Sequence, residues 1–439
     1  MRRLRSTIVA ICALIFSCSA LAAKEQIVIS SARELARLSN VEAGTEIVWR
    51  NGVYADQVIT IALSGTEKAP IILRAETDGG VRFTGSSHLR IKGSHIVVRG
   101  FYWDNPSNEK GLLISFDRVS SHSLLEECTI TGNKSDVRHE HVKWVSIWGF
   151  KNRIERCAFL DKRDFGQILI VRLGKDEAAP QHIIRNCHFS RPHAVLNERG
   201  GRINGQETIR IGTSDVALQR AECVVENCYF EQCNGEGEII SNKSCGNIYR
   251  NNLFYKSRGS LSLRHGNDAQ VVGNYFIGNN ESGSAGVRVI GEGHIIKGNY
   301  FRDLTFCNDR CHFCAIHLMQ GHENPALGGY QQVKSTTVSE NIIVNCSYGI
   351  SACAQSKGCP MPVIDTKVER NTIVVMGGFG SVVSENAPHE IEWRDNIIYG
   401  GHQIGLRLAE TQKRPKLPKV DDAIKAIRNN AGVTSAKSR

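Results

Sequence analysis

A chain of 439 residues with 41 glycines, 10 prolines, 7% aromatic residues and a formal net charge of +10 can bury a large core, and its length alone permits two or three domains. Val, Ile, Asn and Ser recur in short runs and helical periodicity is nearly absent, which favours many short strands joined by turns. The positive balance points to an acidic polymer as partner ahead of nucleic acid, although a solvated basic surface gives the same sum.

The first residues, "MRRLRSTIVAICALIFSCSALAAKEQ", combine a basic start, an apolar run from Ile8 to Phe16 and a small-residue site at Ala20-Leu21-Ala22. Residues 1–23 read as a secretory signal peptide, too short for a membrane span, and the protein is expected in the periplasm or outside the cell. "IFSC" also loosely matches a lipoprotein processing site, so lipid attachment at Cys18 is the alternative. Loss of the signal removes Arg2, Arg3 and Arg5 but leaves the balance positive, and it removes Cys12 and Cys18 from the fifteen cysteines. The odd remainder leaves at least one thiol unpaired. In "SSARELARLSN", Ser31 and Glu34 form a capping box, and Leu35 and Leu38 supply an apolar face. This segment is the one clear helix, expected to cover an open end of the fold.

A small or amide residue then recurs in short β-branched contexts: Gly100, Cys128, Cys157, Cys187, Cys228, Asn252, Asn274, Asn299, Asn341, Asn371 and Asn396. Spacings of 22 to 42 residues correspond to single coils of a solenoid, the longer ones carrying inserted loops. The expected fold is all-β, a right-handed parallel β-helix over residues 24–411 with an N-terminal capping helix. Stacked coils would let each Asn hydrogen-bond its neighbours, while Cys128, Cys157, Cys187 and Cys228 fill the same inward slot as small apolar groups.

The stretch "CNGEGEIISNKSCGNIYRNNLFYKSRGSLSLRHGN" departs from plain core composition. Counting back from the next ladder residue, Lys243 lies nine before Asn252, Arg264 ten before Asn274 and Arg288 eleven before Asn299. The three cations are expected at nearly one angular position on successive coils, where their repulsion calls for an anion. Glu236 and Glu238, two apart, would point to one face of a strand, and "NGQETIRIG" upstream offers the amide oxygen of Asn204. Such oxygens suit a hard cation such as calcium, whereas the motif alone also fits a surface ion-pair network. Further along, Cys307, Cys311 and Cys314, with Cys353 and Cys359, read as loop disulfides ahead of a zinc or iron-sulfur site. Residues 412–439, rich in Lys, Pro and Ala, read as a linker with a short helix or frayed tail.

A hard cation beside Lys and Arg suits β-elimination in a uronate polymer. A proton next to a charged carboxylate is barely acidic until a cation neutralises that carboxylate. A lysine crowded by other cations can then act as base and an arginine as charge stabiliser or acid. A hydrolase would use the glutamate pair instead and leave Lys243 and Arg264 without a role.

"NGEGEIISNKS" followed by "SLSLRHGN", with "NGQETIRIG" before and "GVRVIGEGHIIKGNYF" after, resembles polysaccharide lyase family 6, the β-helical group of alginate lyases and chondroitinase B. The resemblance runs from about Ile27 to about Gly400. It implies Lys243 as Brønsted base, Arg264 as Brønsted acid, Asn204, Glu236 and Glu238 as calcium ligands, and His265 as a subsite residue. We add Arg288 and Tyr330 as substrate contacts; solvent-facing coil residues are the alternative for both. The loop "HLMQGHENPALGGYQQVKSTTVSENIIVN" resembles the alginate-lyase side of the family. Poly-mannuronate or mixed alginate is therefore the expected substrate, with dermatan sulfate and a non-catalytic carbohydrate-binding β-helix as alternatives. The cysteine cluster at Cys307 to Cys314 has no counterpart in the family pattern.

Overall fold

A computed structural model describes residues 26–432 except 108–110, 133–137, 306–313, 355–357, 377–379 and 385–388. The expected signal peptide and Cys18, together with Cys307, Cys311 and the side chain of Cys353, lie outside the described residues.

Strands of three to six residues dominate, and they assemble into three sheets of 14, 14 and 13 strands that run the length of the molecule. Each sheet takes one strand from nearly every coil, always paired parallel to the coil before and after, so the chain winds as a parallel β-helix. Short strands suffice because each is held on both sides and contributes alternate side chains to one continuous core.

The interior explains the repeat. Phe159, Phe189, Phe230, Phe254, Phe276 and Phe301 stack in register on successive coils, with ring centroids 4.6 to 5.0 Å apart. The Asn ladder forms as the sequence predicts. Asn252 N donates to Asn274 Oδ1 at 2.9 Å, and the same bond repeats from Asn274 to Asn299, Asn341, Asn371 and Asn396. Cys128, Cys157, Cys187 and Cys228 are buried free thiols in the equivalent slot of earlier coils. The residue just before the ladder position adopts positive φ, as at Asn227, Asn251 and Gly273, which is why Asn and Gly recur there. Gly100 is the exception to the predicted alignment. It has φ +77° and takes this turn position, so that Phe101 aligns with Cys128.

The N-terminal helix is shorter than its motif, Ala32–Ala36. Ser31 Oγ accepts from Glu34 N, while Glu34 Oε2 accepts from Ser30 N, one residue before the capping-box position. Leu35 is buried in the end of the core and Leu38 packs against it. At the other end of the chain, the helix Asp421–Asn430 lies on the outer face of the 13-stranded sheet. There Val420, Ile427 and Ala431 cover Tyr229, Leu253, Ile277 and Tyr300.

Candidate active site

The strands Glu238–Lys243, Gly259–His265 and Ser284–Val289 lie side by side on one sheet, preceded by Leu169–Val171 and Ile209–Ile211. Glu236 sits just ahead of its strand. Its Oε2 accepts from Gly205 N at 2.7 Å and Gln206 N at 2.9 Å, which ties it to the previous coil. Glu238 Oε2 accepts from Ser241 Oγ at 2.5 Å, and its Oε1 pairs with Arg288 Nη1 at 3.2 Å.

A third carboxylate, not singled out from the sequence, completes the cluster. Glu207, 1% exposed, accepts from Gln167 Nε2 at 2.7 Å, and its other oxygen lies 3.7 Å from Arg210 Nη1 and 4.0 Å from Lys243 Nζ. Carboxylate oxygens of Glu207, Glu236 and Glu238 all fall within 4.8 Å of one another. Burial, followed by the charge of Glu207, pushes the Glu236 carboxyl up to about 8. Three crowded carboxylates present the oxygen donors that a hard cation takes, so the cluster fits calcium. Asn204 is exposed, one residue before the Gly205 amide that Glu236 engages.

The three predicted cations stand on neighbouring strands, though not in a simple stack. Lys243 aligns with His265 across a bulge, and Arg288 lies opposite Ser262, two residues short of Arg264. The counts of nine, ten and eleven residues to the ladder already contain this drift, because every extra residue moves a side chain around the coil. Two of the heads, those of Arg264 and Arg288, meet at Tyr330. Arg264 Cζ lies 4.2 Å from its ring centroid, Arg288 Cζ lies 5.4 Å away, and Arg288 Nη2 donates to Tyr330 Oη at 3.0 Å. Tyr330 comes from the loop inserted in the long coil between Asn299 and Asn341, and His322 stacks on its ring.

His265 is 1% exposed and lies beneath Arg264. Arg264 Nη1 donates to its Nδ1 at 3.4 Å, and its Nε2 lies 3.3 Å from Ser214 Oγ. Burial and then the charges of Arg264 and Lys243 pull its pKa to about 3, so the ring is neutral. Burial also lowers the pKa of Arg264. Cys359 is a buried free thiol, which corrects the disulfide expected there; Cys314 is buried too.

Residue counting along the sequence does not single out Glu207, for a geometric reason. It stands 21 residues before Cys228, whereas Glu238 stands 14 before Asn252, because the turn Ser214–Val216 and its flanks lengthen that coil. The pairing Ile209 to Ile240 nevertheless brings the two acids together.

A family model described as chondroitinase B matches residues 29–427. Among solved structures, the family 6 alginate lyase AlyGC is 30% identical with a TM-score of 0.82, over 91% of this chain and 54% of that one. This chain thus spans about half the length of AlyGC. A mannuronic-acid-specific family 6 lyase from human gut microbiota is 22% identical with a TM-score of 0.74, over 93% of this chain and 98% of the other. A family 6 alginate lyase in complex with a trisaccharide gives 22% and 0.74, over 90% of each chain. The latter two likenesses carry the fold alone. No curated protein matches the chain.

Proposed function

Because the chain belongs to the chondroitinase B family, polysaccharide lyase family 6, we propose that it cleaves an anionic uronate polymer, alginate of the poly-β-D-mannuronate type, by calcium-assisted β-elimination. The observation that carries this reading is that Lys243 and Arg264 both act on His265, beside three clustered glutamates on one sheet face. Glu207, Glu236 and Glu238, with Asn204 at the lip, would hold calcium, which when bound neutralises the uronate carboxylate and makes the adjacent C–H acidic.

Lys243 takes the C5 proton. The C5–H electrons form the C4–C5 double bond, the C4–O bond breaks, and Arg264 protonates the departing oxygen. Its lowered pKa suits Arg264 to that donation. Neutral His265 accepts from Arg264 without adding charge, and Tyr330 holds the guanidinium from the other side. Arg288 and Tyr330 would contact the bound chain. The leader-like residues 1–23 support export, with lipidation at Cys18 as its variant, and no helix among the described residues is long and apolar enough to cross a membrane.

The AlyGC likeness favours alginate; the family description keeps dermatan sulfate as the second reading. The test is ultraviolet absorbance of the unsaturated ends, followed with calcium against poly-mannuronate, poly-guluronate and dermatan sulfate. A rise with poly-mannuronate is expected and is abolished in Lys243→Ala and Arg264→Ala proteins that keep the wild-type circular dichroism. Wild-type turnover in Lys243→Ala would end the reading. Retention of polymer without chain shortening would instead indicate a binding module.

A further inference from the structure

Behind the candidate site the core breaks its own pattern. The inward positions that align on successive coils are Ile211, Asn242, Leu263, Val289 and Leu318, so one amide interrupts a row of apolar side chains. On the neighbouring sheet the aligned row reads Val225, Tyr249, Val271 and Ile296, and one hydroxyl interrupts it. The two exceptions meet. Tyr249 Oη donates to Asn242 Oδ1 at 2.7 Å, and both residues are fully buried. Asn247 Nδ2 donates to the same oxygen at 2.8 Å. Burying polar groups in an apolar core costs free energy unless their bonds are made, and a local rule broken at such a cost marks a functional constraint.

What the Asn242 amide holds is a bulge. Asn242 pairs with Leu263 and Lys243 with His265, which leaves Arg264 as the extra residue between them. A bulge of this kind re-aims a side chain beside an active site. Asn242 Nδ2 closes it from the inside, donating to the His265 carbonyl at 2.7 Å and to the Ser244 carbonyl at 2.9 Å. One amide thus ties the residue after Arg264 to the residue after Lys243. Asn247 adds a bond from Nδ2 to Ser244 Oγ at 2.9 Å, while its Oδ1 accepts from Cys223 N at 2.9 Å on the coil before. The coils approach closely here, since a Cβ on Gly266 would lie 2.3 Å from the Ser244 carbonyl oxygen.

We propose that Asn242, backed by Tyr249 and Asn247, is a positioning residue of the site, pinning the bulge that aims Arg264 relative to Lys243. This rests on the lyase reading above and deepens it: the base acts at C5 and the acid at the oxygen on C4, so the spacing of the two side chains must be fixed before substrate arrives. An inward amide fixes that spacing without touching the polymer. An apolar residue there, as on the neighbouring coils, would fill the space and leave the bulge free to slip.

The test uses two variants. Tyr249→Phe keeps the ring and removes the hydroxyl, and Asn242→Leu combined with Tyr249→Phe restores both apolar rows. Replacing both partners of a buried hydrogen bond is close to neutral for stability, so the double variant should melt near wild type and bind calcium equally well by calorimetry. Turnover of poly-mannuronate should still fall, about fivefold in Tyr249→Phe and about 100-fold in the double variant, through kcat with KM within about twofold. Wild-type kcat in the folded variants, or a loss carried by KM, would overturn the proposal. Should the double variant fold poorly, Tyr249→Phe alone decides. Deuterium exchange into residues 259–267 reads the bulge without turnover. It should quicken in the variants while the ladder at Asn274 and Asn299 stays protected, and unchanged exchange would refute the pin. Wild-type protein that forms no unsaturated ends from any polyuronate would sink the lyase reading, and exchange would then still decide whether Asn242 pins the bulge.

Discussion

Tyr330 links the two arginines that the proposed chemistry needs, and it does so through two separable contacts. Its ring lies 4.2 Å from Arg264 Cζ, and its hydroxyl accepts a 3.0 Å bond from Arg288. Tyr330→Phe keeps the ring and removes only the hydroxyl. A hydrogen bond to a charged donor contributes about 1.5 kcal/mol. Tyr330→Leu removes the cation–π contact as well, about another 1.5 kcal/mol in a half-buried setting. At about 1.4 kcal/mol per tenfold, kcat/KM should fall about 10-fold in Tyr330→Phe and about 100-fold in Tyr330→Leu. Initial rates of unsaturated-end formation, measured across substrate concentrations, give both values. If the phenylalanine variant were as defective as the leucine variant, the hydroxyl itself would be doing chemistry, and the positioning role assigned here would be wrong. A leucine variant within twofold of wild type would show that the loop does not hold Arg264 at all.

Glu236→Ala should weaken activity and shift its calcium dependence upward, so that excess calcium recovers part of the rate; titrating rate against free calcium checks this, and an unshifted curve would remove Glu236 from the ligand set. Asn299→Ala deprives Asn274 N and the Val271 carbonyl of buried partners, and at about 1–3 kcal/mol each should cost about 3 kcal/mol in denaturant unfolding. A loss under 1 kcal/mol would mean that the ladder contributes little. His294 is buried and its pKa is lowered to about 4, by burial first, with Asp268 acting weakly the other way. The unfolded chain therefore binds the proton more readily. Above pH 6.5 the residue is silent, and between pH 6.5 and 4 it withdraws stability, up to about 3 kcal/mol. His294→Asn should flatten that acid limb in pH-dependent melting, and an unaltered limb would contradict the assignment.

The β-helix was legible because its determinants are local to each coil. The Asn ladder, the turn residue before it and the inward Phe recur in sequence, and each needs only the same residue one coil away. Much of the candidate site was legible for a similar reason, since Glu236, Glu238, Lys243, Arg264 and His265 all lie within a single stretch. Only the tertiary structure could bring in Glu207 as the third acid, set Arg288 opposite Ser262, lay Tyr330 across two guanidiniums and bond Asn242 to the His265 carbonyl. These are relations between coils of unequal length. Their alignment depends on hydrogen-bond register, on bulges such as those flanking Ile240 and Lys243, and on loops inserted outside the ladder, which residue counting does not measure.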